Sequence, residues 1–241
     1  RIRIRKMAIE PCIVIHGGAG TIPQSREEGK INGVKKSAYV GYKELIESES
    51  ALNAVEKAVN VMELDGYFNA GYGSVLTCDG TVEMDASIQC GRTLNFGAVS
   101  IVKDVLCPIS LARVVMQKSR HKFLSEDATI KFARENGIRI LHPPGQLVTD
   151  FISNNMESFI SEELKKTKHL KDHEKTFEAI GEGGTVGAVA IDIQGNIAVA
   201  TSTGGISQKW SCRIGDTPCI GSGTYCDNKV AGVSTTGWFL D

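Results

Sequence analysis

The run Gly183-Gly184-Thr185-Val186-Gly187-Ala188-Val189-Ala190-Ile191-Asp192 decides the fold of this chain. Two glycines precede a threonine, and the threonine opens a β-branched, apolar stretch that is typical of a buried strand. Glycine tolerates the strained backbone that would bring the Thr185 hydroxyl onto the carbonyl carbon of Gly184. If that peptide bond breaks, Thr185 gains an α-amino group with a pKa near ~8, which can accept the proton of its own hydroxyl. The run therefore indicates either a self-cleaving threonine nucleophile or an ordinary threonine at the start of a hairpin strand.

Composition describes a globular chain without a strong charge preference. The chain has 241 residues, of which 41% are hydrophobic, and this length fits one large domain. Its formal net charge is −1, so there is no electrostatic case for a nucleic-acid partner or an anionic membrane surface. No window is long and apolar enough to span a bilayer. Small neutral or zwitterionic ligands remain possible partners.

The cysteines and the N-terminus indicate where the protein resides. Seven cysteines are dispersed along the chain, and none forms a Cys-x-x-Cys pair. This pattern argues against a disulfide framework and against a zinc site, and it favours a reducing compartment. Residues 1–6 are basic, but no apolar segment of the kind found in secretory signals follows them, and Met7 opens the first sensible element. We therefore expect a cytoplasmic protein.

Periodicity and punctuation predict two β-rich blocks flanked by helices. Ser50 is predicted to cap a helix over 51–64, and Ser125 to cap another that ends near Asn136. A further helix is predicted from Pro108 to about Lys118. Strands are predicted over 12–15, 81–88, 96–102, 185–192, 196–203 and 230–235. The lysine- and glutamate-rich segment 162–173 predicts a mobile linker. Such a succession favours layered sheets with helices on their outer faces.

Several motifs in order carry a family resemblance. They are His16-Gly17-Gly18-Ala19-Gly20, Phe68-Asn69-Ala70-Gly71, Val82-Glu83-Met84-Asp85-Ala86-Ser87-Ile88, the Thr185 run, Thr201-Ser202-Thr203-Gly204-Gly205, Arg213-Ile214-Gly215-Asp216 and Ser234-Thr235-Thr236-Gly237. Together they cover nearly all of the chain after Met7, and this ordered set is far more specific than a lone glycine motif. The chain resembles the plant-type L-asparaginases with isoaspartyl-peptidase activity, which are N-terminal-nucleophile hydrolases.

The resemblance implies an α+β fold, an αββα four-layer sandwich, over a single domain at 1–241. It also implies an inactive precursor that cuts itself between Gly184 and Thr185. The products would be a large subunit, 7–184, and a small subunit that begins with 185–241. The resemblance further implies a homodimer of processed heterodimers that acts on asparagine and isoaspartyl dipeptides, with no cofactor needed for catalysis.

The same resemblance assigns catalytic roles to hydroxyl residues. Thr185 would be the nucleophile, both in precursor cleavage and in attack on substrate, and its β-branch limits the directions of its hydroxyl. Thr203 would hydrogen-bond the nucleophile's oxygen, although a strand threonine can also be satisfied by its neighbours. Thr236 and the backbone N–H of Gly237 would form the oxyanion hole.

Three residues are candidates for substrate binding. A planar guanidinium can grip an α-carboxylate with two hydrogen bonds, and a carboxylate can accept from an α-ammonium group, so Arg213 and Asp216 suit the zwitterionic end of an aspartyl substrate. The alternative is an exposed pair that contributes ~0–1 kcal/mol and has no function. Asn69 would contact the nucleophile, although asparagine before Ala-Gly is also common in turns.

The resemblance also implies a structural sodium ion held by backbone carbonyls. Carbonyl oxygens suit a hard cation, whereas side-chain identity hardly constrains such a site. The ligands would be the carbonyl groups of Met62, Glu63, Asp65, Phe68, Ala70 and Tyr72. His169 and His173 are four residues apart and could imitate a metal pair, but they lack a third ligand and fit a solvated face better.

The chain departs from the family pattern after Gly237. It reads Trp238-Phe239-Leu240-Asp241, so a bulky Phe239 replaces a second glycine, and the remaining elements of the small subunit are missing. We expect a C-terminally truncated form on this basis. The alternative function is a non-catalytic relative that acts as a dimerising or regulatory subunit. A glycosylasparaginase would need a signal peptide and disulfides, and a threonine protease of proteins would need a larger specificity surface.

Overall fold

The computed structural model describes residues 9–20, 22–154 and 184–237. The predicted linker 162–173, His169, His173 and Phe239 lie outside these ranges. The elements are β1 Cys12–His16, α1 Gln24–Ser48, α2 Ala51–Glu63, β2 Met84–Cys90, β3 Phe96–Val102, α3 Pro108–Lys118, β4 Phe123–Ser125, α4 Asp127–Glu135, β5 Val186–Ile191, β6 Ile197–Thr203, β7 Thr224–Asp227 and β8 Ala231–Ser234, with a 3-10 turn at Gly71–Gly73.

Six strands form the main sheet in the order β1-β5-β6-β2-β3-β4. Neighbouring strands are antiparallel except for β3 and β4, which are parallel. The strand that follows Thr185 therefore occupies an interior position between β1 and β6. Because interior strands are hydrogen-bonded on both sides, this position fixes the backbone that leads out of the predicted cleavage site.

Helices cover one face of the main sheet, and a second sheet covers the other. Helix α2 packs on β5 and β6, whereas α3 packs on β2 and β3. On the opposite face, the β7–β8 hairpin packs against β6, and Gly232 lies so close to Val189 and Ile197 that an added Cβ would come within 2.6 and 2.8 Å of their side chains. The predicted α+β sandwich is confirmed, and the described residues supply its helix, sheet and sheet layers.

Helix α2 shows why the predicted elements form where they do. The Ser50 hydroxyl accepts from the backbone N–H of Asn53 at 3.3 Å, which caps the helix as predicted. Its buried face repeats at helical spacing and packs into the core. The helix ends at Glu63, where the chain enters the loop predicted to hold sodium.

Helix α1 is the longest helix among the described residues, and its ends were not predicted from sequence periodicity. Its buried positions are the small residues Gly33, Ser37 and Gly41 together with Leu45. The Ser37 hydroxyl donates to the Ala58 carbonyl at 2.8 Å, and Gly41 lies against the Ala58 side chain. Since this seam relies on close approach rather than on large apolar side chains, it produces little hydrophobic periodicity.

Two predicted boundaries are wrong. Ser125 does not cap a helix, because it is the last residue of β4 and pairs with Ser100 of β3; α4 begins at Asp127, and its cap position is Glu126. The strand predicted from Thr81 begins at Met84, since Thr81 is held in a turn by the N–H of Thr77, which donates to its carbonyl at 2.9 Å. Strand β7 was not predicted.

All seven cysteines are free thiols in the structure. Among the described residues, no helix combines the length and apolarity that a membrane crossing requires.

Candidate active site

Thr185 immediately precedes β5 and is buried. It is 8% exposed, and its backbone N–H donates to the Oγ1 of Thr236 at 3.0 Å. Thr236 follows the end of β8, in the second sheet. The predicted nucleophile and the predicted oxyanion threonine therefore meet where the ends of two sheets converge.

The peptide predicted to break lies against the glycine loop that follows β1. A Cβ added to Gly18 would lie 3.0 Å from the Cα of Gly184 and 3.3 Å from its carbonyl carbon. A Cβ added to Gly184 would lie 3.2 Å from the backbone N and O of Ala19. Gly18 has a φ of +113°, a backbone conformation that favours glycine. Only glycines at these positions allow the two backbones such close contact.

Thr203 lies beside Thr185 in the sheet. Strands β5 and β6 pair Val186 with Ser202, and Thr185 and Thr203 are the next residues along the two antiparallel strands. The Thr203 Oγ1 accepts from the backbone N–H of Gly205 at 2.9 Å. Since this hydroxyl already accepts one bond, its own proton is available to donate toward a neighbouring oxygen.

The Thr236 segment is tied to the loop between β6 and β7. The N–H of Thr235 donates to the Gly223 carbonyl at 3.0 Å, and the N–H of Gly223 donates to the Asp216 carbonyl at 3.1 Å. Gly237 is exposed and has a φ of +142°, and an added Cβ there would meet nothing within 4 Å. Two successive backbone bonds thus connect the predicted oxyanion segment to a predicted substrate residue.

Asn69 braces this region from within the fold. Its Nδ2 donates to the Gly205 carbonyl at 2.6 Å, and its Oδ1 accepts from the N–H of Val75 at 3.0 Å. Its backbone carbonyl accepts from the N–H of Gly204 at 2.9 Å. The predicted contact with the nucleophile stays a prediction, while these three bonds establish Asn69 as the anchor of Gly204 and Gly205.

Arg213 and Asp216 both lie in the loop between β6 and β7, and both are partly buried. The Arg213 guanidinium runs past two glycines, because an added Cβ would lie 3.4 Å from its Nη1 at Gly205 and 2.8 Å from it at Gly215. The loop therefore leaves a channel for this side chain next to Gly205, which Thr203 and Asn69 hold in place.

A buried acid and a buried amine underlie this loop. Asp85 is 1% exposed; its Oδ2 accepts from the N–H of Gly215 at 3.1 Å, and its Oδ1 accepts from the N–H of Ile101 at 3.2 Å. Burial raises the pKa of Asp85, whereas Lys209, these two N–H donors and Arg213 oppose that shift. Burial lowers the pKa of Lys209, and the charge of Asp85 opposes it. The two N–H donors and the two cations favour the ionised form of the Asp85 carboxyl.

A second buried acid, Glu83, binds the same loop three residues before Gly215, at Cys212. Glu83 accepts from the N–H of Cys212 at 2.7 Å and pairs with the Lys103 ammonium at 3.1 Å. The Glu83 backbone carbonyl accepts from the Nζ of Lys209 at 2.6 Å. Glu83 and Asp85 thus hold the loop at Cys212 and at Gly215, on the two sides of Arg213.

His16 connects the glycine loop to β8. Its Nε2 lies 2.7 Å from the Oγ of Ser234, which in turn lies 2.8 Å from the Oγ1 of Thr201. A chain of hydroxyls continues through Thr224 to Ser87. Burial lowers the pKa of His16, and the nearby backbone of Thr185 partly opposes this. A neutral imidazole therefore lies beside the first residue after the predicted cut.

The predicted sodium loop presents carbonyl groups to its interior. A Cβ added to Gly71 would come within 1.9 Å of the Glu63 carbonyl oxygen, and one added to Gly73 would come within 1.9 Å of the Phe68 carbonyl oxygen. The carbonyls of Met62, Asp65, Phe68 and Ala70 each accept a backbone bond as well. These oxygens fit a hard cation, and no group of three or more His, Cys, Asp or Glu side chains in the described residues forms a metal site.

The Glu63 side chain binds other parts of the fold and takes no part in the predicted sodium site. Its Oε1 accepts from the N–H of Ile109 at 2.9 Å and from the Ser202 hydroxyl at 2.7 Å. Burial raises its pKa to about 8. Its carboxyl group therefore links the start of α3 to β6, next to Thr203.

Sequence reasoning missed the supporting residues Asp85, Glu83, Lys209 and Ser234. One signal was present, since Glu83 and Asp85 alternate with the apolar residues Val82, Met84 and Ala86. Buried charges are rare unless they are paired, so such interruptions indicate a functional partner elsewhere in the chain.

Comparison of the sequence with known proteins identifies the family of this chain. A sequence model of the family described as asparaginase matches residues 9–238, which contain all of the site residues above. The chain belongs to this asparaginase family. The asparaginase relatives include proteins named isoaspartyl peptidase/L-asparaginase from Bos taurus, Homo sapiens and Danio rerio. They are 49%, 47% and 46% identical to this chain over 230, 230 and 228 residues. The matches cover 94–95% of this chain and 70–71% of the relatives.

Proposed function

We propose that this asparaginase is a self-processing threonine hydrolase that deamidates L-asparagine and cleaves isoaspartyl dipeptides. The observation that carries the proposal is the hydrogen bond from the Thr185 N–H to the Thr236 Oγ1, next to the Gly184–Thr185 peptide and one residue beyond the paired ends of β5 and β6. The names of the relatives, isoaspartyl peptidase/L-asparaginase, support the choice of substrates.

Precursor cleavage starts with the Thr185 hydroxyl. Its oxygen attacks the carbonyl carbon of Gly184, the C–N bond to Thr185 breaks, and the hydroxyl proton ends on the departing nitrogen. Water then hydrolyses the resulting ester, which leaves a carboxylate on Gly184 and a free amine on Thr185. The contact with Gly18 supports this step, because it packs backbone directly against the scissile Gly184 carbonyl group.

The substrate reaction uses the amine that this cut releases. The Thr185 amine accepts the hydroxyl proton while the oxygen attacks the substrate side-chain carbonyl, and Thr203 donates to the same oxygen. Thr236 Oγ1 and the Gly237 N–H stabilise the negative charge that develops on the carbonyl oxygen. Ammonia or an amino acid leaves with the proton, and water hydrolyses the aspartyl ester.

Recognition falls to Arg213 and Asp216. Arg213 binds the α-carboxylate and Asp216 the α-ammonium group, which selects free asparagine or an N-terminal isoaspartyl residue. Their common loop supports this pairing, since Asn69 holds the loop at Gly205 and Thr235 binds it at Gly223.

Purified full-length protein tests the proposal directly. After incubation at neutral pH, a denaturing gel should show two fragments, and mass spectrometry should find a new N-terminal Thr185. Thr185→Ala should remain a single chain, whereas Thr185→Ser should cut because it keeps a hydroxyl. A wild-type protein that stays intact and releases no aspartate from either substrate would refute the proposal.

We also propose that the carbonyl loop at 62–72 holds a structural sodium ion, with Met62, Glu63, Asp65, Phe68, Ala70 and Tyr72 as ligands. The close packing of Gly71 against the Glu63 carbonyl oxygen and of Gly73 against the Phe68 carbonyl oxygen supports this site, because a side chain at either glycine would fill the space beside these oxygens. Sodium chloride should raise the melting temperature more than choline chloride at equal ionic strength, and Gly71→Ala should remove the difference.

Residence and assembly complete the proposal. We infer a reducing, cytoplasmic location, which the seven free thiols support. We also infer a homodimer of processed heterodimers. Light scattering of the cleaved protein would test the assembly, and a mass of one heterodimer would exclude it.

A further inference from the structure

Asp85 lies at a distortion of the main sheet. Strand β2 pairs Met84 with Val102 and Ala86 with Val99, so the register shifts by one residue opposite Asp85. In this bulge Ile101 has a φ of +53°, which is uncommon for a β-branched residue. The Asp85 Oδ1 accepts from the N–H of Ile101. A strained backbone of this kind persists where the surrounding structure holds it, and it is common near functional sites.

The other carboxylate oxygen holds the substrate loop. The Asp85 Oδ2 accepts from the N–H of Gly215, which lies between Arg213 and Asp216 in the chain. Asp85 is also opposite Thr203 in the pairing of β2 with β6. One buried carboxylate therefore contacts the sheet next to the reacting hydroxyls and the loop that carries both predicted substrate residues.

Asp85 also balances two cations that lie close together. An added Cβ at Gly205 would be 3.0 Å from the Nζ of Lys209 and 3.4 Å from the Nη1 of Arg213. The charges of Lys209 and Arg213 repel each other, and both attract Asp85. Glu83 also attracts Lys209, and its backbone carbonyl accepts from the Lys209 ammonium. Without the charge of Asp85, Lys209 would keep these contacts with Glu83, whereas Arg213 would lose the attraction of Asp85 and still be repelled by Lys209, so the more exposed guanidinium would turn away.

We propose that Asp85 is the positioning residue that orients Arg213 toward the substrate α-carboxylate and thereby determines selectivity for zwitterionic aspartyl groups. The inference rests on the proposed function, because it concerns the same pocket. Asp85 does not touch the substrate; it acts through the N–H of Gly215 and through the charges of Lys209 and Arg213.

Asp85→Asn tests the charge in a side chain of the same shape. We expect normal self-cleavage, a KM for isoaspartyl dipeptide raised about 10-fold or more, and a kcat within about 3-fold of wild type, because the reacting groups are untouched. The Kd for L-aspartate, measured by calorimetry on the cleaved protein, should rise by the same factor as KM. Ser211→Ala is the control, since it removes a bond from the same loop to Asp79 but leaves the charge balance intact.

A double-mutant cycle separates positioning from general loosening. In an Arg213→Gln background, Asp85→Asn should weaken L-aspartate binding by less than about 2-fold, because the group that it orients is absent. Equal losses in both backgrounds would overturn the proposal, as would a wild-type Kd in Asp85→Asn or a fall in kcat at unchanged KM. If Asp85→Asn does not fold, Asp85→Glu keeps the charge but displaces it, and an unchanged Kd there would also overturn the proposal.

Binding and turnover distinguish this inference from the proposed function. A wild-type protein that binds L-aspartate but hydrolyses nothing would refute the proposed activity, and the cycle with L-aspartate would still decide the role of Asp85. If the wild-type protein neither binds L-aspartate nor turns over substrate, both proposals fail.

Discussion

The backbone N–H of Thr185 donates to the Oγ1 of Thr236 at 3.0 Å. This bond joins the residue after the predicted cut to the residue predicted to stabilise the oxyanion. In the uncut chain the nitrogen is an amide donor, and after cleavage the same nitrogen would become the amine that accepts the hydroxyl proton. Thr236 therefore holds the atom whose chemistry changes during activation.

Removal of the Thr236 hydroxyl should slow the substrate reaction. Thr236→Ala should lower kcat by ~10²–10³, the usual effect of losing one oxyanion donor. Steady-state kinetics on the cleaved protein provide the measurement. Thr235→Ala is the matched control, because its hydroxyl bonds only to the Ser222 carbonyl at the surface, at 3.2 Å, and its loss should change kcat by less than about 3-fold. Equal effects of the two changes would contradict this assignment.

A methyl group at Gly18 should impair self-cleavage. Gly18→Ala places a carbon 3.0 Å from the Gly184 Cα, so the scissile peptide must shift. A slower appearance of the two fragments on a denaturing gel, by about 10-fold or more, is the expected result.

Gly80→Ala controls for backbone strain in that experiment. Gly80 has a φ of +75°, but an added Cβ there meets nothing within 4 Å. Both substitutions should reduce the free energy of unfolding by about 1–2 kcal/mol, since both force alanine into a left-handed conformation. If Gly80→Ala slows cleavage as much as Gly18→Ala, strain alone explains the effect.

Loss of the Asn69 side chain should loosen the substrate loop and destabilise the fold. Asn69→Ala leaves the Gly205 carbonyl and the Val75 N–H without their partners, at a cost of about 1–3 kcal/mol each. Urea unfolding measures the loss. Asn95→Ala removes two contacts from a partly exposed asparagine near Met116 and should cost less. A free energy of unfolding equal to wild type in Asn69→Ala would show that the brace is not needed.

Acid should weaken the fold through His16. Burial lowers the pKa of His16 below its ordinary value of 6.5, so the unfolded chain takes up a proton at a higher pH than the folded one does. The contribution of His16 to stability is therefore complete at neutral pH and is lost as pH falls below 6.5 through the folded pKa.

His16→Gln keeps a polar partner for Ser234 but does not titrate. The difference in unfolding free energy between wild type and His16→Gln should become less favourable to wild type when urea titrations at pH 7.5 are repeated at pH 5.5. His121→Gln, at an exposed histidine, provides the control for the substitution itself. A difference that stays constant between the two pH values would rule out this role.

Much of the fold was predictable from local pattern, and the exceptions have physical causes. Helix α2 was found because its cap and apolar spacing agree, and β5 because a β-branched run follows Thr185. Helix α1 was not bounded, because its buried seam consists of glycine and serine. The N-cap predicted at Ser125 was wrong, because pairing with Ser100 in a parallel strand outweighed the local capping preference.

Some residues of the candidate site were also predictable from sequence, and others were not. Motif order predicted which hydroxyls and charges belong to it, and the structure joins Thr185 to Thr236 by a hydrogen bond. The roles of Asp85 and Lys209 could not be read from spacing, because their partners are more than a hundred residues away along the chain or depend on a bulge opposite Ile101. Only the packed sheet shows that these groups share one pocket.

The strand order carries a consequence for what happens after activation. Strands β1 and β2 precede Thr185, while β5 and β6 follow it, and the sheet places them in the order β1-β5-β6-β2. Strands of the two cleavage products thus alternate in one sheet. Neither product can dissociate without breaking the backbone hydrogen bonds between β1 and β5 and between β6 and β2. We expect the two fragments to copurify in native buffer and to separate only in denaturant, because the cleaved chain remains one folded domain.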